Sequence, residues 1–179
     1  MMTGILTRPL QLNIGAGAGD QMPGAVRLDL ARTTRPHVVA DVEAGLPFRS
    51  GTFGVAGAYD VIEHVHDLVA VMEEIHRVLV PDGVLIVTTP HFSSPNAYTD
   101  PTHQRALGLR SFDYFDAAHP LAYYSRARFR VRQARLFFKG RVLGRLVARL
   151  ARRWPSWYED HLAWMFPAWF MYFELVAVK

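Results

Sequence analysis

His91, Asp100 and His103 fall within 13 positions of one another, in the segment Pro90-His91-Phe92-Ser93-Ser94-Pro95-Asn96-Ala97-Tyr98-Thr99-Asp100-Pro101-Thr102-His103. An imidazole that titrates near pH 6.5 is a suitable base for a hydroxyl proton. Asp100 could orient the His103 ring, or the pair could join another carboxylate around a divalent cation. In the plainer alternative, Asp100 caps the turn before Pro101 and His103 bonds to backbone within a long loop. A second group of chemically useful residues lies near the start of the chain. Leu12-Asn13-Ile14-Gly15-Ala16-Gly17-Ala18-Gly19-Asp20 runs an apolar strand into three alternating glycines, a turn that a ligand can approach closely. Val26-Arg27-Leu28-Asp29 and Val38-Val39-Ala40-Asp41 each read as a short strand ending in a carboxylate. Strand ends carrying Gly, Asp and Asp can line one crevice outside the carboxyl edge of a parallel sheet, where such folds bind nucleotide-like ligands.

The elements that must hold these residues alternate between strand and helix, which predicts an α/β fold. Gly54 to Tyr59 reads as a fourth strand, with Asp60-Val61-Ile62-Glu63-His64 at its carboxyl end. Val65, Leu68, Val69, Met72, Ile75 and Leu79 then keep helical spacing, Pro81-Asp82-Gly83 makes a turn, and Val84 to Thr89 reads as a buried fifth strand. Asp29 follows Gly19 by only ten residues. A dinucleotide site would place its acidic residue about 20 residues on, after a full helix, so the spacing argues against NAD or FAD and predicts an abbreviated first helix.

Together these segments resemble the class I S-adenosylmethionine-dependent methyltransferases, in particular the short bacterial type. The resemblance runs from about Leu10 to Phe115. It rests on the glycine turn, Asp29 and Asp41, then Leu46-Pro47-Phe48, Ile62-Glu63-His64-Val65 and Glu74-Ile75-His76-Arg77-Val78-Leu79-Val80-Pro81-Asp82-Gly83. It implies a Rossmann-like, mostly parallel sheet with an antiparallel final strand, and S-adenosylmethionine as cofactor. It also implies that the glycine turn faces the methionine part of the cofactor, with Asp29 on the ribose and Asp41 near the adenine. Asn13, Gly15, Gly17, Gly19, Asp29, Asp41, Asp60 and His64 form the expected cofactor set. The acceptor is expected over the loops after strands four and five, with His91, His103 and Asp100 as the expected catalytic set. The Asp100-Pro101-Thr102-His103 segment is similar to one in bacterial methyltransferases associated with surface-polysaccharide or O-antigen modification. The implied reaction is methyl transfer to a hydroxyl of a glycan, lipid-linked sugar or related small molecule, with a divalent metal as an optional participant. Methylation of carbon or nitrogen on a lipid or other small molecule, and a catalytically silent partner subunit, are the alternatives.

Composition agrees with one domain over residues 1–179, divided into a cofactor core at 10–90, an acceptor loop at 91–125 and a basic, aromatic helical insertion at 139–170. Zero cysteines exclude a disulfide framework. No signal-peptide pattern opens the chain, and its longest uncharged apolar run, Leu162 to Phe173, is too short to span a bilayer. The expected location is cytoplasmic, with a peripheral position at the inner face of the membrane as an option. Residues 1–119 carry 8 basic and 13 acidic side chains, whereas residues 120–179 carry 12 and 3. Arg126, Arg128, Arg130 and Arg132 alternate with Ala127, Phe129 and Val131 as in a half-buried strand. Arg141, Arg145, Arg149 and Arg152 then stripe a helix over Lys139 to Arg153, opposite Val142, Leu143, Leu146, Val147 and Leu150, with four tryptophans close behind. Such a helix suits an anionic membrane surface; a surface helix packed on the sheet with a solvated basic face is the alternative. Phe173 to Lys179 reads as the antiparallel final strand. Without an RNA-binding module or an Asn-Pro-Pro-Tyr motif, a nucleic-acid substrate is not expected.

Overall fold

The computed structural model describes residues 9–19, 21–140 and 143–179. Seven strands form one sheet in the order β3-β2-β1-β4-β5-β7-β6. They are β1 (Gln11–Ile14), β2 (Val26–Asp29), β3 (Val38–Val39), β4 (Phe53–Tyr59), β5 (Leu79–Pro90), β6 (Phe129–Phe138) and β7 (Ala168–Ala177). β1 to β5 pair in parallel, and β7 lies between β5 and β6, antiparallel to both. This is the Rossmann-like arrangement that the alternating pattern predicts.

The order reverses at the β1–β4 pair, where Ile14 sits opposite Ala58. Chain leaving β1 and chain leaving β4 therefore diverge, opening a crevice at their carboxyl ends, the usual ligand position in such sheets. Beneath it the strands bury an apolar core: Leu12, Ala56, Ala58, Leu85 and Val87 are fully buried. α1 (Leu68–Val78) covers this core with Val71, Met72, Ile75 and Val78. The Asp67 carboxylate starts that helix by accepting from the Ala70 amide at 2.9 Å, a cap worth about 1 kcal/mol.

Between β1 and β2 the described residues hold turns and no helix, as the short spacing requires. Met22 and Ala25 are buried there in place of helix side chains. A Cβ on Gly57 of β4 would lie 2.5 Å from the Met22 sulfur, so that glycine lets the short connection lie flat on the sheet.

Several boundaries differ from expectation. β5 begins at Leu79, and Asp82 takes a left-handed φ of 60° inside it, so Pro81-Asp82-Gly83 is an irregularity within the strand and does not separate it from α1. The arginine-alternating strand begins at Phe129, because Ala122–Tyr124 forms a 3-10 turn. Its alternation ends where the register with β7 shifts between Val131 and Gln133. β7 starts at Ala168, five residues before the expected Phe173, so Trp169 belongs to the sheet and not to the insertion.

The insertion contributes α3 (Leu143–Arg153) and α4 (Pro155–His161). Val147, Ala151, Tyr158, Ala163 and Ala168 make a second small core beneath them. The expected apolar face of α3 is divided: Val147 is buried, while Leu146 is 55% exposed. Arg141, Val142 and the Leu143 side chain lie outside the described residues.

Candidate active site

The glycine turn is held by the strand beside it. The Gly17 amide donates to Asp29 Oδ2 at 2.7 Å, the Ala31 amide donates to Oδ1 at 2.7 Å, and the Arg27 guanidinium donates to the Gly17 carbonyl at 2.7 Å. Asp29 thus ends a strand, starts a turn and braces the glycines together. Gly15 and Gly17 have φ of 60° and 55°, where a side chain costs about 1 to 2 kcal/mol. A Cβ on Gly15 would also fall 2.4 Å from a Val61 methyl, which packs the turn tightly against the loop after β4. Gly19 is exposed, and a Cβ there would meet only the amide end of Gln21, so the backbone does not demand the third glycine. Asn13 is fully buried one strand position before Ile14, and neither its amide nitrogen nor its amide oxygen has a hydrogen-bond partner among the described residues. Left-handed glycines and an unsatisfied amide together suit a polar ligand laid across this edge. Asp41 is exposed and accepts from the Glu43 amide at 2.9 Å, capping a 3-10 turn after β3.

Directly after β4 comes Asp60, a non-glycine residue at φ 55°, whose carboxylate accepts from the Thr88 hydroxyl at 3.2 Å. Three residues on, Glu63 is 2% exposed; its carboxylate oxygens make no full hydrogen bond among the described residues, and the buried Thr89 hydroxyl is a weak neighbour that lowers its pKa slightly. Burial pushes the Glu63 carboxyl up to about 7, and the neighbouring Asp60 charge acts in the same direction. Hydrogen bonds tie the loop after β5 to this segment. The Gln104 amide donates to the Glu63 carbonyl at 2.8 Å, the Arg105 guanidinium donates to the carbonyls of Val65 and His66, and His64 Nδ1 lies 2.8 Å from the Thr102 hydroxyl.

His103, half-buried, meets His64 edge to face, and its Nδ1 faces the Ala97 carbonyl at 3.2 Å. Asp100 accepts from the Thr102 hydroxyl at 2.7 Å and from its amide at 2.8 Å. Those bonds hold the exposed Asp100 carboxyl below the usual carboxylate range. Asp100 therefore caps its own turn and reaches His64 through Thr102; the direct bond to His103 envisaged from spacing is not formed. His91 is fully buried, with Nδ1 2.7 Å from the Ser93 hydroxyl and Nε2 3.1 Å from Glu159 Oε1. It packs with Phe92 and Tyr158, so its geometry is that of a structural ring beneath the acceptor loop.

Sequence spacing singled out His64 and His103 but not the carboxylate that joins them. Glu63 was detectable as an acidic residue between Ile62 and Val65, both apolar, directly after a buried strand. Glu159, which bonds His91 and the Leu109 amide, had no such signal, since it reaches them from the distant helix α4. A groove of about 1070 Å³ lies elsewhere, between β6 and α3, lined by Arg110, Arg135, Arg145, Arg149 and Arg152 among others.

Comparison with known proteins bears on the fold and the class of reaction. Residues 3–87 match the family described as "Methyltransferase domain". A SAM-dependent methyltransferase from Archaeoglobus fulgidus superposes with a TM-score of 0.67 at 14% identity, covering 94% of this chain and 86% of that one. An S-adenosylmethionine-dependent methyltransferase from Mesorhizobium loti superposes with a TM-score of 0.58 at 14% identity, covering 94% and 90%. No curated protein sequence matches the chain. The match covers just under half of the chain, and the likeness to these solved structures shows their Rossmann-like fold; together they support a methyltransferase that uses S-adenosylmethionine. The unsatisfied Asn13 amide and the glycine turn, braced by Asp29, are the groups that such a cofactor would lie against.

Proposed function

We propose that the protein methylates a hydroxyl oxygen of a sugar, in a glycan or lipid-linked saccharide. The cofactor supplies a methyl group on a sulfonium, so the chain must align an acceptor oxygen with it and remove the proton. The observation that carries the reading is the convergence of Glu63, His64 and His103 on the loops after β4 and β5, the first of which packs on the glycine turn through Val61, since these groups can accept a proton or hold a hydroxyl. The similarity of Asp100-Pro101-Thr102-His103 to segments in surface-polysaccharide methyltransferases supports a sugar as acceptor. A lipid-linked acceptor would place the enzyme at the inner face of the membrane. The exposed Arg149, Arg152 and Arg153 of α3, with Trp154 and Trp157 also exposed, supply the basic and interfacial aromatic groups such docking uses.

The test is transfer of a labelled methyl group to a panel of saccharides and nucleotide- or lipid-linked sugars. His103→Ala should lower turnover by about 10²- to 10⁴-fold while cofactor affinity stays within about twofold. Label found on nitrogen or carbon, or full turnover in His103→Ala, would overturn the hydroxyl reading.

A further inference from the structure

We propose that Glu63, His64 and His103 form a site for one divalent transition-metal cation. One ligand atom from each lies within 4.8 Å of the others. Donors bound 2.0 to 2.2 Å from a single cation are about 3 to 3.5 Å apart, so turning the half-buried rings inward by about 1 Å closes the site. Two further observations point to a cation. The first is Glu63 itself, 2% exposed, whose carboxylate oxygens make no full hydrogen bond among the described residues and have the buried Thr89 hydroxyl only as a weak neighbour. Buried polar groups are almost always satisfied, and a buried carboxylate without donors is costly unless a positive charge faces it.

The second is the tautomer that each ring is forced to adopt. The Asp100 carboxylate can only accept, so at 2.7 Å it takes the single hydroxyl proton of Thr102. The Thr102 oxygen must then accept from His64 Nδ1–H, 2.8 Å away. His103 Nδ1 faces the Ala97 carbonyl, which also can only accept. In both neutral rings Nε2 is left with its lone pair, and a backbone or hydroxyl partner fixing Nδ1–H is the usual support of a metal-bound histidine. Two imidazoles with one carboxylate favour zinc, iron, cobalt or manganese over magnesium or calcium, and they leave coordination positions open.

This site rests on the reading of the two loops as the acceptor site, and it gives the lone pairs to a cation instead of to the acceptor proton. Adjacent sugar hydroxyls would fill the open positions. A bound hydroxyl becomes more acidic: its proton passes to water, the oxygen–methyl bond forms as the sulfonium carbon–sulfur bond breaks, and the demethylated thioether is released.

The test uses the full chain, stripped of metal and free of cofactor and acceptor, titrated with Co²⁺ and then Zn²⁺. One equivalent of Co²⁺ should bind with visible absorption bands, which Zn²⁺ displaces. His64→Ala, His103→Ala and Glu63→Gln should each weaken binding by at least about 100-fold. Thr102→Val, which removes the hydroxyl that bridges Asp100 and the His64 ring but no ligand atom, should weaken it by about 10- to 100-fold. His161→Ala, exposed on α4, should leave it unchanged. Absence of saturable binding, or equal binding by His103→Ala and His161→Ala, overturns the site. Hydroxyl methylation that persists in excess chelator overturns the cation and keeps the acceptor reading; one-equivalent binding without hydroxyl methylation keeps the cation and overturns that reading.

Discussion

His64 and His103 meet with ring centroids 4.6 Å apart and planes at 71°, although one follows β4 and the other lies beyond β5. The contact makes two loops one surface, because Thr102, Gln104 and Arg105 bond to the same segment on either side of it. Substitutions in one loop should therefore be felt by residues of the other.

Asp29→Ala removes the acceptor that holds the Gly17 amide. Loss of a charge-assisted hydrogen bond of this kind costs about 1.5 to 3 kcal/mol, so S-adenosylmethionine should bind roughly 10- to 150-fold more weakly. Calorimetric titration of the variant, with circular dichroism to verify folding, measures the change. Unaltered affinity would show that neither the brace nor a ribose contact matters.

Gly15→Ala should be worse than Gly24→Ala. Both glycines have positive φ, but a Cβ at Gly24 meets nothing within 4 Å, whereas at Gly15 it meets Val61. Gly24→Ala should cost about 1 to 2 kcal/mol, a fall in Tm of about 2 to 8 °C. Gly15→Ala should lose more and also lose cofactor binding. Adding Val61→Ala should recover part of the difference in thermal melts; no recovery would mean that the contact is not what makes Gly15 necessary.

Glu63 should make metal-free protein less stable as pH rises. Its folded value of about 7 stands above the ordinary 4.5, so between those values the folded state binds the extra proton. The stability present below pH 4.5 is lost progressively as pH rises through 7, by roughly 3 kcal/mol. In chelator, the wild type should therefore lose about 6 to 12 °C more in Tm between pH 4.5 and 8 than Glu63→Gln, which cannot ionise. Parallel profiles for the two proteins would reject the buried, protonated carboxyl.

The basic face of α3 is tested with vesicles. Each basic side chain near an anionic surface is worth about 1 kcal/mol, so Arg149→Glu with Arg152→Glu should reduce binding to phosphatidylserine vesicles by at least about 100-fold. Salt should weaken the wild-type interaction. Equal co-sedimentation with neutral and anionic vesicles would reject membrane docking and leave the arginine-lined groove as a site for a soluble anion.

The parallel half of the sheet was legible because its strands are short apolar runs and α1 carries an unbroken stripe from Leu68 to Val78. Residues 168–172 were not, because Ala-Trp-Phe-Met-Tyr is apolar on both faces of β7 and shows no period; only its pairing with Pro90 and Phe138 defines it as strand. The glycines and strand-end carboxylates located the crevice, but the Asp29–Gly17 bond depends on two strands lying side by side. Similarly, three residue types predicted chemistry after β5, yet which histidine faces the crevice depended on Glu159, which arrives from α4 to hold His91.

The brace across the glycine turn also ties ligand recognition to the edge of the sheet. In place of a covering helix, Asp29 and Arg27 of β2 hold the turn, and β2 is backed only by the two residues of β3. Local fraying there would release the turn, and a bound cofactor would resist that fraying. The cofactor should consequently act as a molecular splint for the edge, slowing amide hydrogen exchange in β2 and β3 more than in β5, which lies well inside the sheet.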